Sequence, residues 1–229
     1  MATLTETFPV EFSGLEDERG YFLFRGGGLS LYERLLDLAD DHRGVKVVYL
    51  DGDVLIMART RRHDRIGHRV NHLVFELARA AVVPCEDAGE TTYRRPPQVA
   101  GAQGDDAFYF RGNAEHMAGQ KDDDPATDPV PDLVLEVEVH HPVTFALAAW
   151  ARLGVAEVWH VNARTKELGL RVLRRTEDGQ GYTPVSRSGV LPFDDAEILG
   201  LLRSSTGEVA SEWYARLPER IAAVVAARR

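Results

Sequence analysis

The chain has 229 residues, 44% apolar and 28% charged, which is ordinary for a soluble globular protein and enough for one ample domain with a real core. Its one cysteine, Cys85, excludes a disulfide framework and a cysteine zinc site. A net charge of −9 argues against a protein that coats nucleic acid with its whole surface, and the lack of a basic leader or of a membrane-length apolar run predicts a cytoplasmic protein without a membrane partner.

In chain order, residues 1–28 read as irregular, ending in Gly26-Gly27-Gly28. Residues 30–42 predict an amphipathic helix, with Ser30 and Glu33 spaced as a capping box. Strands follow at 46–50 and 53–57, joined by the hairpin dipeptide Asp51-Gly52. Residues 63–83 carry the clearest helical stripe: Ile66, Val70, Leu73, Val74, Leu77 and Ala81 share one face. Short strands are expected at 91–95 and 107–110, and a polar, Pro-containing loop at 120–130, whose three consecutive Asp lack calcium-loop spacing. Residues 132–139, 143–152 and 156–162 predict strand, helix and parallel strand, with Gly154 as the helix stop. Strands at 168–174 and 183–190 and a helix at 211–227 complete the chain. That helix, with Trp213, Leu217 and Ile221, could cover the core or a second subunit.

The strand 132–139 carries the chemistry. Residues at i, i+2 and i+4 share a face, so Asp132, Val134, Glu136 and Glu138 point one way and Leu133, Leu135, Val137 and Val139 the other. Acids on an apolar strand are costly to bury unless a cation sits among them. Asp106, just before the apolar run AFYF, is the second acid of interest. Were Asp106 and Glu136 side by side, their repulsion at ~4 Å would be about 4 kcal/mol at an effective dielectric of ~20. A proton or a divalent cation would then relieve it, with the main-chain carbonyl of Val137 as a further ligand. The alternative is that Asp106 is a turn residue and Glu136 a sheet-edge acid. His140-His141 could ligate a metal, or could simply end the strand exposed.

A concentrated positive surface opens the long helix: Arg61, Arg62, Arg65 and Arg69, with His63, His68 and His72. It suits phosphates, or is a solvated face opposite a buried one. His68 and His72 lack the Glu of a zinc-peptidase motif. Cys85, beside Glu86 and Asp87, has no local reason to be an activated thiol.

Together these segments resemble the Uma-type restriction endonuclease family of the PD-(D/E)XK nuclease superfamily. The resemblance spans about residues 30–175. It rests on LSLYERLLDLADDHRGVKVVYLDGDVLIM, His63 opening the long helix, TTYRRP, GDDAFYFRGNAEHM, VPDLVLEVEV and LGVAEVWHV, in that order. It implies a single restriction-endonuclease-like α/β domain over 1–229, a central mixed sheet flanked by helices, with 176–229 packed on it. It implies Mg²⁺-dependent hydrolysis of DNA phosphodiester bonds, with Mn²⁺ as an alternative cation, and a homodimer, since members of the fold often dimerise to cut two strands. It places the first motif acid on Asp106, with Asp105 where a proline is usual, the second on Glu136 and the third position on Glu138. Catalytic candidates are therefore Asp106, Glu136, Glu138 and His63; metal ligands Asp106, Glu136 and Val137; nucleic-acid contacts Arg61, Arg62, Arg65 and Arg69. The family's lysine falls on Ala146, which cannot orient water or neutralise phosphate charge. A catalytically degenerate module that binds nucleic acid or protein is thus the competing expectation.

Overall fold

Residues 11–13, 20–40, 44–95, 100–120, 128–140 and 142–228 are described by a computed structural model of the protein. Two short strands, β1 (Glu11–Ser13) and β2 (Tyr21–Arg25), lie in the stretch read as irregular. Helix α1 (Gly28–Asp40) starts at a glycine with φ 74°, so Ser30 sits inside the first turn instead of capping it. The hairpin of β3 (Val45–Leu50) and β4 (Asp53–Ala58) turns on Asp51 and Gly52, both at positive φ, as the dipeptide requires. Helix α2 (Arg61–Ala81) begins two residues before its expected start because the Thr60 side chain accepts from the His63 amide.

Strands β5 (Cys85–Asp87), β6 (Thr92–Arg95), β7 (Ala100–Gln103) and β8 (Asp106–Phe110) follow, then the short helix α3 (Gly112–Ala118). Most of the predicted loop at 120–130, with its run of Asp, lies outside the described residues. Next come β9 (Leu133–Glu138), α4 (Thr144–Leu153) and β10 (Glu157–Asn162), with Gly154 left-handed at the helix end as expected. The chain closes with β11 (Gly169–Arg175), β12 (Tyr182–Val185), α5 (Asp195–Arg203) and α6 (Ala210–Ala226). Strand β12 stops at Val185, short of the expected limit at residue 190. Helix α5 is an element that the hydrophobic pattern did not predict; Asp194 and Glu197 form its capping box.

Two six-stranded sheets form where one was expected. The first, in the order β1-β2-β4-β3-β7-β6, is antiparallel throughout. The second, β12-β11-β10-β9-β8-β5, is mixed: β9 and β10 run parallel across α4, and every other pair is antiparallel. Alternation along β8 and β9 gives the mixed sheet two buried faces. Phe108, Phe110, Leu133, Leu135 and Val137 pack on the stripe of α2 and on α5 and α6. Ala107, Tyr109 and Val134 pack on α4 and the first sheet. Helix α6 buries Trp213, Leu217 and Ile221 in its own chain's core, which settles that helix's partner. Among the described residues no helix is long and apolar enough to cross a membrane.

The chain passes from the first sheet to the mixed one at Gly104. A Cβ there would lie 2.8 Å from the Asp106 carbonyl oxygen and 3.0 Å from a Val134 methyl, so only glycine permits this approach. The crossing sets the positions of Asp105 and Asp106.

Val82 ends α2 in the left-handed conformation, φ 54°, with its side chain 89% exposed. A β-branched residue is strained there and packs against nothing, whereas glycine is free to adopt it. Val82→Gly is therefore expected to stabilise the fold by about 1 kcal/mol, raising Tm by about 2–4 °C in a domain of this size; differential scanning calorimetry checks it.

Candidate active site

Register decides which acids meet. In the β8–β9 pair Asp106 lies opposite Leu135, and the ladder continues with the Asp105 amide donating to the Leu135 carbonyl at 3.0 Å. Opposed residues share a face. Asp106 therefore shares the α2 face with Leu135, and Asp105 shares the other face with Glu136. Into that face reaches Lys46 from β3 of the first sheet: its Nζ donates to Glu136 Oε2 at 2.7 Å and Asp105 Oδ1 at 3.2 Å. All three side chains are almost wholly buried.

The remaining carboxylate oxygens are also bonded. Asp105 Oδ2 accepts from the Val137 amide at 2.6 Å and lies 3.0 Å from His63 Nε2. Glu136 Oε1 accepts from Trp150 Nε1, on α4, at 2.7 Å. Five elements thus meet at one polar point: β3, the entry to β8, β9, α2 and α4. Beside it is a cavity of about 40 Å³, lined by Lys46, Thr60, His63, Glu136, His140 and Ala146 among others.

The electrostatics follow from burial and pairing. Burial opposes the Lys46 charge, but the Asp105 and Glu136 carboxylates outweigh it and hold its pKa above the ordinary value. Burial likewise opposes ionisation of Asp105, yet Lys46, His63 and the Val137 amide hold it well below the usual carboxylate range. Burial, with the Asp105 charge, raises Glu136 against the pull of Lys46. His63 loses by desolvation and gains more from its bond to Asp105, so its pKa is raised.

Asp106 is not brought to Glu136. It accepts from Asn71 Nδ2 on α2 at 2.6 Å, and burial raises its pKa to about 6. It faces an adjoining groove of about 660 Å³, which Asp105 and His63 also line, with His68, Asp87 and Glu90. The physical reason is the period of two in a strand: adjacent acids point to opposite faces. Glu138 stands apart as well, 2.9 Å from His160 Nε2 and 3.3 Å from an Arg164 nitrogen. Val137 lines the cavity, and its amide serves Asp105. Asp132 accepts from the Phe110 amide and Asn113, holding β9 to β8 and α3. His140 lines the cavity, while His141 lies outside the described residues. Burial and the nearby carboxylates of Asp87 and Glu86 push Cys85 up to about 12, so it is a thiol and not a thiolate.

The four arginines divide. Arg69 donates to the carbonyls of Ser205 and, at 2.8 Å, Glu208, and lies over the Trp213 ring at 5.9 Å. Arg62 donates to the Thr165 carbonyl at 2.6 Å. Arg61 and Arg65 are exposed and form no hydrogen bond or ion pair among the described residues. Arg62, Arg65, Arg69 and Lys166 line a cleft of about 380 Å³ against the α5–α6 connection.

Sequence reasoning missed Lys46, Asp105 and Trp150. Lys46 had one signal: a lone lysine in an otherwise apolar strand, VKVVYL, at a position facing inward with Val48.

A mixed sheet with its buried acids on neighbouring strands, flanked by helices, makes this an α/β protein with a candidate site between its two sheets. The chain belongs to the Uma2 family, described as "Putative restriction endonuclease", whose pattern matches residues 30–201. Among solved structures it is similar to one described as a putative nuclease from Anabaena variabilis, at 11% identity and a TM-score of 0.42, covering 75% of this chain and 90% of that one. That distance is too great to carry a residue role across. No curated protein matches the chain.

The His63–Asp105 contact sets a pH dependence. Because the His63 pKa is raised above 6.5 in the fold, the charged contact contributes stability that is complete below pH 6.5 and is lost as pH rises through the raised value. The difference in unfolding free energy between the metal-free protein and its His63→Gln variant should be largest below pH 6.5 and shrink above it. Urea unfolding across pH measures this difference.

Proposed function

We propose that the protein is a divalent-metal-dependent nuclease that hydrolyses DNA phosphodiester bonds. The observation that carries the reading is the convergence of the Asp105 and Glu136 carboxylates on one buried point that holds a positive charge, the Lys46 ammonium. Among the described residues no three or more His, Cys, Asp or Glu are grouped to hold a metal. Two carboxylates still fit Mg²⁺ or Mn²⁺, which commonly take one or two from the protein and complete their shell with water, main-chain oxygen and phosphate. Asp105 and Glu136, with the Val137 carbonyl, would hold the cation; Asp106 is bonded instead to Asn71 and lines the adjoining groove. When bound, such an ion polarises a phosphate and lowers the pKa of an attacking water. The chain's own groups do the rest: Trp150 and the Val137 amide fix the carboxylates, and the buried walls limit water around them.

DNA would approach along the open edge of α2. Arg61 and Arg65, two residues either side of His63, and Lys166, which lines the cleft with Arg65, have no hydrogen-bond or ion-pair partner among the described residues and would meet the phosphates. Arg62 and Arg69 build the wall of that cleft through their carbonyl contacts.

A second reading, a module that binds without cutting, has one observation in its favour. Lys46 already neutralises the two acids, as a purely structural ion triad would.

Purified protein should nick or cut plasmid, linear or single-stranded DNA in Mg²⁺ or Mn²⁺. Asp105→Asn and Glu136→Gln should each lower the rate at least about 10²-fold, while Asp106→Asn should lower it far less. Equal loss at Asp106 would return the site to the other face, and no cleavage by the parent protein would leave the binding module.

Arg65→Ala with Lys166→Ala should weaken DNA binding for all sequences alike and reduce the log–log salt slope by about 2, since each phosphate contact contributes about 0.9. Arg69→Ala should instead cost about 2–3 kcal/mol of stability by leaving two carbonyls without their charged donor. Fluorescence anisotropy across salt, with thermal melts, separates the two effects.

A further inference from the structure

We propose that Lys46 is a catalytic residue of this site: its ammonium, entering from β3, orients the attacking water and neutralises charge on the scissile phosphate, a task for which α4 supplies only Ala146. This rests on the nuclease reading of the same site. The geometry carries it in three steps.

An ammonium has three N–H donors. Glu136 and Asp105 account for two of them, at 2.7 and 3.2 Å, which leaves one for a water or a phosphoryl oxygen. Next, Lys46 and Ala146 line the same cavity of about 40 Å³. A cavity needs about 10–15 Å³ on this measure to hold a water, so there is room for water beside the amine. The amine missing from α4 is thus present in the same space, delivered from another element. Third, stability alone is a weak reason for a lysine here. A buried ion triad is commonly no more stable than well-packed apolar residues of the same volume, and β3 is otherwise apolar on that face.

The reaction is an addition of water across one P–O bond. The water oxygen bonds to phosphorus and keeps one hydrogen. The bond from phosphorus to the bridging sugar oxygen breaks, its electron pair stays on that oxygen, and the second water proton reaches it through solvent. Lys46 keeps its proton throughout; its part is to hold the water by an N–H and to offset the charge that grows on the phosphoryl oxygens.

The test uses the full chain, plasmid DNA and Mn²⁺, with cleavage rate and Mn²⁺ affinity (electron paramagnetic resonance) as separate readouts. Lys46→Ala should lower the rate at least about 10²-fold, while Mn²⁺ binds as tightly or more tightly because a competing charge is gone. The swap Lys46→Ala with Ala146→Lys conserves total side-chain volume and returns an amine to the cavity, and should recover at least tenfold of that loss. Lys46→Met, which fills the space, replaces Lys46→Ala should the latter fail to melt cooperatively. A Lys46 variant that cleaves like the parent, while Glu136→Gln does not, overturns the role of Lys46 and leaves the nuclease reading intact. A rate that falls only in step with Mn²⁺ affinity overturns it too. A parent protein that cuts no DNA overturns both.

Discussion

Lys46, Asp105 and Glu136 form the contact on which the arrangement depends. Lys46 belongs to the antiparallel sheet, Glu136 to the mixed sheet, and Asp105 to the strand entry where the chain crosses between them. Each charge is tolerable in the interior only because the others are there. Removing Lys46 would leave the two buried carboxylates uncompensated, a loss of about 3–5 kcal/mol in comparable cases, whereas removing one acid would leave the ammonium paired with the other. The same contact therefore joins the two sheets and assembles the candidate site. His63 and Trp150 bring α2 and α4 to it, so both helices are oriented by the polar point as well as by their apolar faces.

Strand alternation explains how two adjacent acids come to have different partners. Asp105 lies among Lys46, His63 and the Val137 amide and stays ionised. Asp106, one residue on, meets an amide from α2 and is pushed up to about 6 by burial. A shift of one residue at the Gly104 crossing would exchange them. The close approach of Gly104 to the Asp106 carbonyl is thus a constraint on chemistry as much as on packing.

Helix α2 serves three purposes at once. Its apolar stripe fills the core, its first turn supplies His63, and its basic edge is split between wall-building and free cations. Arg69 and Arg65 are four apart and look equivalent in the sequence. Only Arg69 meets carbonyls at the end of α5 and the ring of Trp213. A chain with a net charge of −9 can thereby present a local positive strip without being basic as a whole.

Much of the fold was legible in the sequence. The stripe of α2, the Asp51-Gly52 hairpin, the strand–helix–strand step over β9, α4 and β10 and its Gly154 stop are local patterns, and each appears nearly where it was read. Strands β1, β2, β5 and β7 were not legible, because three to five residues carry too little periodicity. Helix α5 was missed although its Asp194–Glu197 capping box was there to find. For the candidate site, local pattern put Glu136 on one strand face with Asp132, Val134 and Glu138 and an acid before the β8 run, and the family resemblance singled out position 146 as lacking an amine. Only the tertiary structure decided that Asp105 and not Asp106 joins Glu136, and that the amine comes from Lys46, 90 residues away in the chain. Alternation along one strand is a local property, whereas the register between strands and the approach of a second sheet depend on contacts that no single stretch of sequence contains.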